Sequence, residues 1–459
     1  MSRKINLLFP IEIINREIDF RLMLAGVCAR PEYRIWVGSM AAMYKLVQSN
    51  QGGLYVGKHI LQGRFPNASQ ERYRVLKQNK FHYIHLDEEG AVHHGGPEQW
   101  KHIFAYTLDP RFLAADDKVC TWGDWQRDFY RGYEPTPACA ENIQTTGHPR
   151  FDLYKPDYRE YFAGDARALK ERFGDYVLMN TNFSFVNKPR GLDNAFSARF
   201  GYDPADPEKR YTQVKRWAHL SQILSCFVKL AMRLSREFPQ LNVVIRPHPS
   251  EDITFYNMIF ADVPNVHIVH EDSVGPWILG ARCLIHDGCT TALEAHFAET
   301  PILNYKPFVD ESNDKFLPNL FGRKCFDEES AVEYMQEVLA NKVATDSKPP
   351  ADQTALSLLS NFQHDSWTAL ANVIHASAQN VAPGELSVSQ ATKTSLSRRV
   401  KSRLGLGGRA GKIRNGKLPE FYGLNPERVD ERLKSVSALL NKPLQHRFYS
   451  TELLCVETA

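Results

Sequence analysis

At 459 residues the chain carries material for about two to three domains with sizeable cores. Charged residues make up 24% and the formal net charge is +3, so nothing global marks a nucleic-acid binder. No run of eighteen apolar residues occurs, Met1 to Pro10 is too short for a signal peptide, and eight cysteines stand singly without a Cys-x-x-Cys pair; the chain therefore reads as cytoplasmic, with reduced thiols and no structural zinc.

In chain order, Ile5 to Phe9 reads as a first strand. Glu12 to Arg30 follows as a helix with Ile18, Leu22, Ala25 and Cys28 at helical spacing, and Arg34 to Val37 is a second strand. This βαβ opening is the usual start of a parallel sheet. Tyr83 to Leu86 is strand-like and ends abruptly in Asp87-Glu88-Glu89-Gly90. Thr145 to Asp152 reads as a loop and Tyr154 to Gly174 as a partly helical connector, after which Tyr176 to Met179 begins a second strand series that runs into Asn180-Thr181-Asn182-Phe183. A long helix at Trp217 to Phe238 carries a core-facing stripe of Trp217, Leu220, Leu224, Phe227, Ala231, Leu234 and Phe238.

The stretch Asn242 to Pro307 is the most informative. Val243 to Arg246 and Cys283 to His286 read as buried strands, a helix starts at Gly288 to Thr291, and Pro301 to Tyr305 is the next strand. His248 then lies on a loop after one strand, while Gly288, Thr290 and Thr291 sit at a helix N-terminus. Unpaired N–H groups at such a terminus, beyond the carboxyl ends of parallel strands, suit a nucleotide phosphate. Flanked by Pro247 and Pro249, His248 has a stiff backbone, and with Arg246 it offers charge-assisted bonds to a phosphate. Thr290 and Thr291 can donate to the same phosphate or cap the helix, and Glu294 either reaches ribose hydroxyls or is an exposed helical acid.

These elements imply an α/β chain of two halves joined by a connector, with a cleft between them. The expected boundaries are 1–155 for the first domain, 156–175 for a connector and 176–345 for the second, which carries the nucleotide phosphate site. A polar, then basic linker follows at 346–418, and a C-terminal helical element at 419–459. Within the linker, Lys393 to Lys417 carries nine Lys or Arg and no acid; it reads as a solvated tether, or as a peripheral contact with anionic lipid or an acidic partner.

Three clustered acids are by default a solvated turn, yet glycosyl transfer needs a carboxyl that gives or takes a proton, which makes Glu88 and Glu89 candidates. Asp152 is a second isolated acid; paired with the first it suits a nucleophile plus acid/base, whereas a single base suffices for inversion. No Asp-x-Asp occurs, and neither His93-His94 nor His286-Asp287 has convincing co-ligands, so a metal-independent reaction without a cofactor is expected.

In order, DEEG, GHPRFD, NTNFSFVN, RPHPSE and HDGCTTALEAHFAETPI resemble the bacterial surface carbohydrate biosynthesis proteins. Those are GT-B-fold glycosyltransferases related to the retaining β-Kdo transferases of capsule and lipopolysaccharide assembly. The acid-acid-glycine, His-Pro and Ser/Thr motifs are shared in form with bacterial sialyltransferases, and all of these use CMP-activated 3-deoxy-ulosonic acids. The resemblance covers roughly the first 310 residues. It implies a GT-B-like plan, two Rossmann-like domains facing across a cleft, with 1–155 the acceptor and catalytic domain and 176–345 the nucleotide-sugar domain. It also implies a retaining transfer in which Glu88 or Glu89 is the acid/base residue, His248 contacts the CMP phosphate, Thr290 and Thr291 complete the phosphate site and Asp152 matches the nucleophile. A nucleotide-sugar donor and a glycan or lipid-linked acceptor at the inner membrane face are the partners it implies. The competing readings are a CDP-polyol phosphotransferase, a sugar-nucleotide epimerase and a non-catalytic nucleotide-binding subunit of a capsule assembly complex.

Overall fold

The computed structural model describes residues 3–58, 60–63, 66–189, 191–198, 201–310, 314–345, 347–392, 421 and 423–459. The chain divides into two units. One takes the chain to Tyr161, resumes at Lys348 and includes Phe421–Ala459; the other holds Phe162–Ser347.

Among the described residues the first unit has an eight-stranded sheet. Its parallel part comprises β1 (Ile5–Ile11), β2 (Tyr33–Ser39), β3 (Gly53–Gly57), β4 (Phe81–Leu86), β5 (Lys118–Thr121) and β6 (Ile143–Thr145), in the order β2-β1-β3-β4-β5-β6. The inner strands β1, β3 and β4 are buried along nearly their whole length, as strands of a parallel sheet covered on both faces are. The order reverses between β1 and β3, which makes the carboxyl ends of those two strands the switch point of this sheet.

The second unit holds β7 (Tyr176–Asn180), β8 (Asn242–Arg246), β9 (Val266–Ile268), β10 (Cys283–His286), β11 (Ile302–Tyr305) and β12 (Arg323–Cys325). Every pairing is parallel, and the order β9-β8-β7-β10-β11-β12 is the doubly wound dinucleotide-fold order, with its switch point between β7 and β10. The long helix Pro207–Glu237 buries Phe227, Leu230, Ala231 and Leu234 in one core with Val243, Ile245 and Leu303. Each such side chain contributes about 1.5–3 kcal/mol through burial. Two Rossmann-like α/β units are thus present, as the GT-B-like reading expects.

Three expectations change. The helix read from Trp217 begins at Pro207, where the Asp206 carboxylate accepts from the Glu208 and Lys209 backbone N–H groups and proline occupies the first turn. The segment read as a polar linker from 346 instead forms helices Gln353–Leu358 and Ser366–Ala378 within the first unit. Its Ser, Ala and Gln content hid an amphipathic stripe of Trp367, Leu370, Ala371 and Ile374, all buried, which packs against the Ile14–Cys28 helix. The C-terminal element is a helix, Pro426–Leu439, followed by a hairpin of β13 (Leu444–Ser450) and β14 (Leu453–Thr458), and β14 joins β2 in antiparallel register. The basic stretch 393–417 lies outside the described residues. Among the described residues no helix is long and apolar enough to cross a membrane.

Candidate functional site

In the second unit the central strand β7 ends in Asn180, and Thr181 follows it beside the switch point. Asn180 Nδ2 donates to Thr291 Oγ1 at 3.0 Å. Thr181 Oγ1 donates to Glu251 Oε1 at 2.8 Å, and the same oxygen takes the His248 backbone N–H at 3.0 Å. Two adjacent residues at one strand end therefore tie the His248 loop and Thr291 together. Glu251 is fully buried and also accepts from the Tyr256 hydroxyl at 2.6 Å; burial raises its carboxyl pKa, and these donors pull it back. His248 Nδ1 accepts from the Ser250 backbone N–H at 3.2 Å, so in the neutral ring the proton sits on Nε2.

The loop between β10 and the Thr291–Phe297 helix turns at Gly288, whose φ of +65° suits glycine. A Cβ there would lie 3.4 Å from Asn319 Nδ2. Thr290 precedes the helix with no side-chain capping bond, so the capping role expected for it is not the one it plays. Two sequence-predicted ligands are engaged otherwise. Arg246 donates to the backbone carbonyls of Glu271 and Asp272 and lies 5.8 Å from the Trp277 ring centroid, which makes it a holder of that loop. Glu294 is buried within its short helix and does not lie on an exposed face. His286 is fully buried at the end of β10, and burial, with Lys306 nearby, pushes its pKa down to about 3. Its neighbour Asp287 pairs with Lys306 Nζ at 2.5 Å, and the same ammonium meets Asp314 at 2.5 Å. Among the described residues no group of three His, Cys, Asp or Glu side chains is placed to hold a metal.

In the first unit the backbone bends at Glu88 just after β4 and sends Glu88 and Glu89 opposite ways. Glu88 points inward and is fully buried, with Oε1 3.2 Å from the Arg21 guanidinium and Oε2 3.2 Å from His148 Nε2. Burial alone would raise its carboxyl pKa, but His148, Lys58 and Arg21 together hold it well below the carboxylate range. Glu89 points outward with 61% of its side chain exposed, and Arg16 NH1 meets it at 2.7 Å. That guanidinium holds the Glu89 carboxyl down to about 2. Trp122 Nε1 donates to the Asp87 carbonyl at 2.8 Å, and Asp87 Oδ1 accepts from the Glu89 backbone N–H at 3.3 Å, so the acidic turn is pinned from below. Beside it, at the sheet's own switch point, Lys58 after β3 bridges Glu12 at 2.7 Å and Glu17 at 3.1 Å.

Asp152 is a latch. It is fully buried at the end of the short Pro149–Asp152 helix. Oδ1 accepts from Asn361 Nδ2 at 2.9 Å and meets Lys155 Nζ at 2.6 Å, while Oδ2 accepts from the Ser366 backbone N–H at 2.7 Å and from the Ser366 hydroxyl. Four donors occupy both oxygens, which removes the carboxylate from the nucleophile role expected for it. Its pKa is raised by burial against the pull of these same donors.

Sequence reasoning left Arg21, His148, Asn180, Glu251 and Asn361 without roles. Asn180, His148 and Glu251 lie at or just beyond strand ends, where a buried polar residue is the signal that finds them, whereas Arg21 is a buried cation within the Ile14–Cys28 helix. Asn361 carries no local signal.

No protein-family model matches this sequence, and neither does any curated protein. Among solved structures, UDP-GlcNAc 2-epimerase from Neisseria meningitidis bound to UDP-GlcNAc aligns at 9% identity and a TM-score of 0.44, covering 81% of this chain and 100% of its own. A second UDP-N-acetylglucosamine 2-epimerase aligns at 12% identity and 0.46, covering 84% and 100%. The wall teichoic acid polymerase TagF soaked with CDPG aligns at 10% identity and 0.45, covering 83% and 89%. Likenesses at this level carry no weight for chemistry, and the strand orders themselves define the two Rossmann-like units.

Proposed function

We propose that the chain is a metal-independent glycosyltransferase that transfers a 3-deoxy-ulosonate (Kdo-like) sugar from a CMP-activated donor to a surface-glycan or lipid-linked acceptor. The observation that carries this reading is the convergence at the second unit's switch point, where Asn180 and Thr181 bring Thr291 and His248 to one strand end. The motif order from DEEG to HDGCTTALEA supports the CMP-ulosonate class. In this reading Gly288, Thr290, Thr291 and the His248 Nε2–H face the donor phosphate. Arg246 shapes the neighbouring loop and Glu294 supports the helix from within.

Glu89 is the acid of the pair that meets substrate, because Glu88 is buried in ion pairs. Its pairing with Arg16 keeps it ionised at neutral pH, so it can take a proton, and its basicity rises when that pairing is broken. The acceptor hydroxyl oxygen attacks the anomeric carbon while Glu89 takes its proton. The bond from that carbon to the phosphate oxygen breaks, and CMP leaves with the electron pair, its charge met by hydrogen-bond donors at the strand end. With Asp152 occupied by four donors, the retaining outcome that the resemblance implies gives way to a single inverting displacement.

The same occupancy of Asp152 favours a second reading that needs no protein nucleophile, a CDP-polyol phosphotransferase. A thermal-shift panel of CMP, CDP, UDP and GDP separates the two, since a ligand that binds only the native state raises its apparent stability. Selective stabilisation by CMP, with sugar transfer from a CMP-ulosonate that is lost in E89Q, is the expected result. Preference for CDP moves the assignment to the phosphotransferase, and preference for UDP overturns both.

A further inference from the structure

Within the first unit the chain that returns at Lys348 reaches the acidic turn through a relay of direct contacts. Asn361 Oδ1 accepts from the His148 backbone N–H at 2.8 Å, and Asn361 Nδ2 donates to the His148 carbonyl at 2.9 Å. One side-chain amide thus grips both polar groups of a single peptide residue, as a neighbouring strand would. Gly147 allows that approach. Its φ is +71°, and a Cβ there would lie 2.7 Å from Asn361 Oδ1, so a side chain at 147 would push the amide away.

The ring of His148 is fixed as well. Nδ1 accepts from the Arg150 backbone N–H at 3.2 Å, which leaves the proton on Nε2, 3.2 Å from Glu88 Oε2. Phe20 and Trp122 pack on the imidazole with ring centroids 5.0 and 5.1 Å away, and the ring is fully buried. Glu88, set between this ring and Arg21, is the buried root from which Glu89 projects into solvent.

We propose that Asn361 is a positioning residue: by gripping the His148 backbone it seats the imidazole against Glu88 and thereby places the exposed Glu89 carboxylate for its work as base. Asp152 is the fixed point of this arrangement, because it accepts from the same Asn361 amide and from Ser366. Residues some two hundred positions apart thus form one device, which rests on the assignment of Glu89 as the working acid.

The test compares N361A and N361S with S366A and H148Q in the full-length protein. S366A removes a hydroxyl bond to Asp152 and the 3.3 Å contact from Asn361 Nδ2 yet leaves both Asn361–His148 bonds, so it controls for loosening of the Asn361 surroundings short of the grip itself. With 15N-labelled histidine, the wild-type ring signal that disappears in H148Q is expected in the Nε2–H tautomer and constant from about pH 5 to 8. N361A and N361S shift that signal and make it pH-dependent, whereas S366A leaves it in place. In the transfer assay N361S lowers kcat by about a hundredfold with KM nearly unchanged, the pattern of a misplaced group, and H148Q shares its altered pH profile. The proposal is overturned if folded N361S keeps the ring signal and wild-type kcat, or if S366A moves both as far. Because the ring signal is read without substrate, a protein with the expected signal but no transfer from any CMP-ulosonate fails the functional reading and not the His148 placement.

Discussion

Replacing Asp152 by alanine separates a structural carboxylate from a chemical one. The substitution strips acceptors from the Ser366 N–H and Asn361 Nδ2, both buried, and from the Ser366 hydroxyl, which lies 3.3 Å from Asn361 Nδ2 and can turn toward other partners. Lys155, with 23% of its side chain exposed, regains water. The Ser366 N–H is left without its acceptor, while Asn361 Nδ2 keeps the His148 carbonyl and the Ser366 hydroxyl, so the first unit loses about 1–3 kcal/mol, a sizeable share of the ~5–15 kcal/mol that holds a domain together. Asp152→Asn keeps one acceptor oxygen and turns an amide toward donors at the other, so it falls between alanine and wild type. Urea unfolding followed by tryptophan fluorescence reads this loss, and Trp122 and Trp367 report on this region because both are buried in the same unit. If D152A unfolds at the wild-type urea concentration while sugar transfer disappears, Asp152 is a nucleophile and the latch assignment is wrong.

The two acids of the turn should part company. E89Q lowers turnover by about 10²–10⁴-fold with little change in stability, whereas E88Q strands Arg21 in the interior and lowers stability by about 3–5 kcal/mol; equal stability losses in the two variants would contradict the inward and outward assignment. Removing the Arg16 charge in R16Q lets the Glu89 pKa rise toward the ordinary carboxylate range, so the acid limb of the pH–rate profile moves to higher pH; a limb that stays put denies the pairing at 2.7 Å. Acid stability follows from buried neutral histidines. His148 is lowered from 6.5 to about 4 and His286 from 6.5 to about 3, so the folded state binds fewer protons than the unfolded one. Their contribution is full above pH 6.5 and is lost progressively as pH falls through that value toward 4 and 3, on the order of 3 kcal/mol for His148 and 5 kcal/mol for His286. Unfolding midpoints that do not fall between about pH 6.5 and 4 would show that these rings are not held neutral.

Much of the second unit was legible because a strand buried on both faces reads as an apolar run that stops at a polar residue: Val243 to Arg246 and Cys283 to His286 announce themselves. The helix from Pro207 was seen only from Trp217, since its first turns are polar and exposed, although Asp206-Pro207 is a recognisable start. The acids of the DEEG turn were visible as acids, but which one faces inward depends on Arg21 and His148 arriving from other elements. Asp152 was visible as an acid near a histidine, and its true partners lie 209 and 214 residues away in a segment whose Ser and Ala content suggested a linker. The hairpin Leu444–Thr458 was read as helical because its edge strand is half exposed, and an alternation so weak gives little hint of the sheet that β14 joins.

Calorimetric titration of CMP into wild type, H248Q and T291V is the most direct check on the assignment of the second unit's strand end as a cytidine-nucleotide phosphate site. Wild type is expected to bind CMP more tightly than UMP, with each substitution weakening CMP binding about tenfold or more, as the loss of one hydrogen bond to a charged group requires. Unchanged CMP affinity in both variants, or no CMP binding by the wild type, contradicts the account.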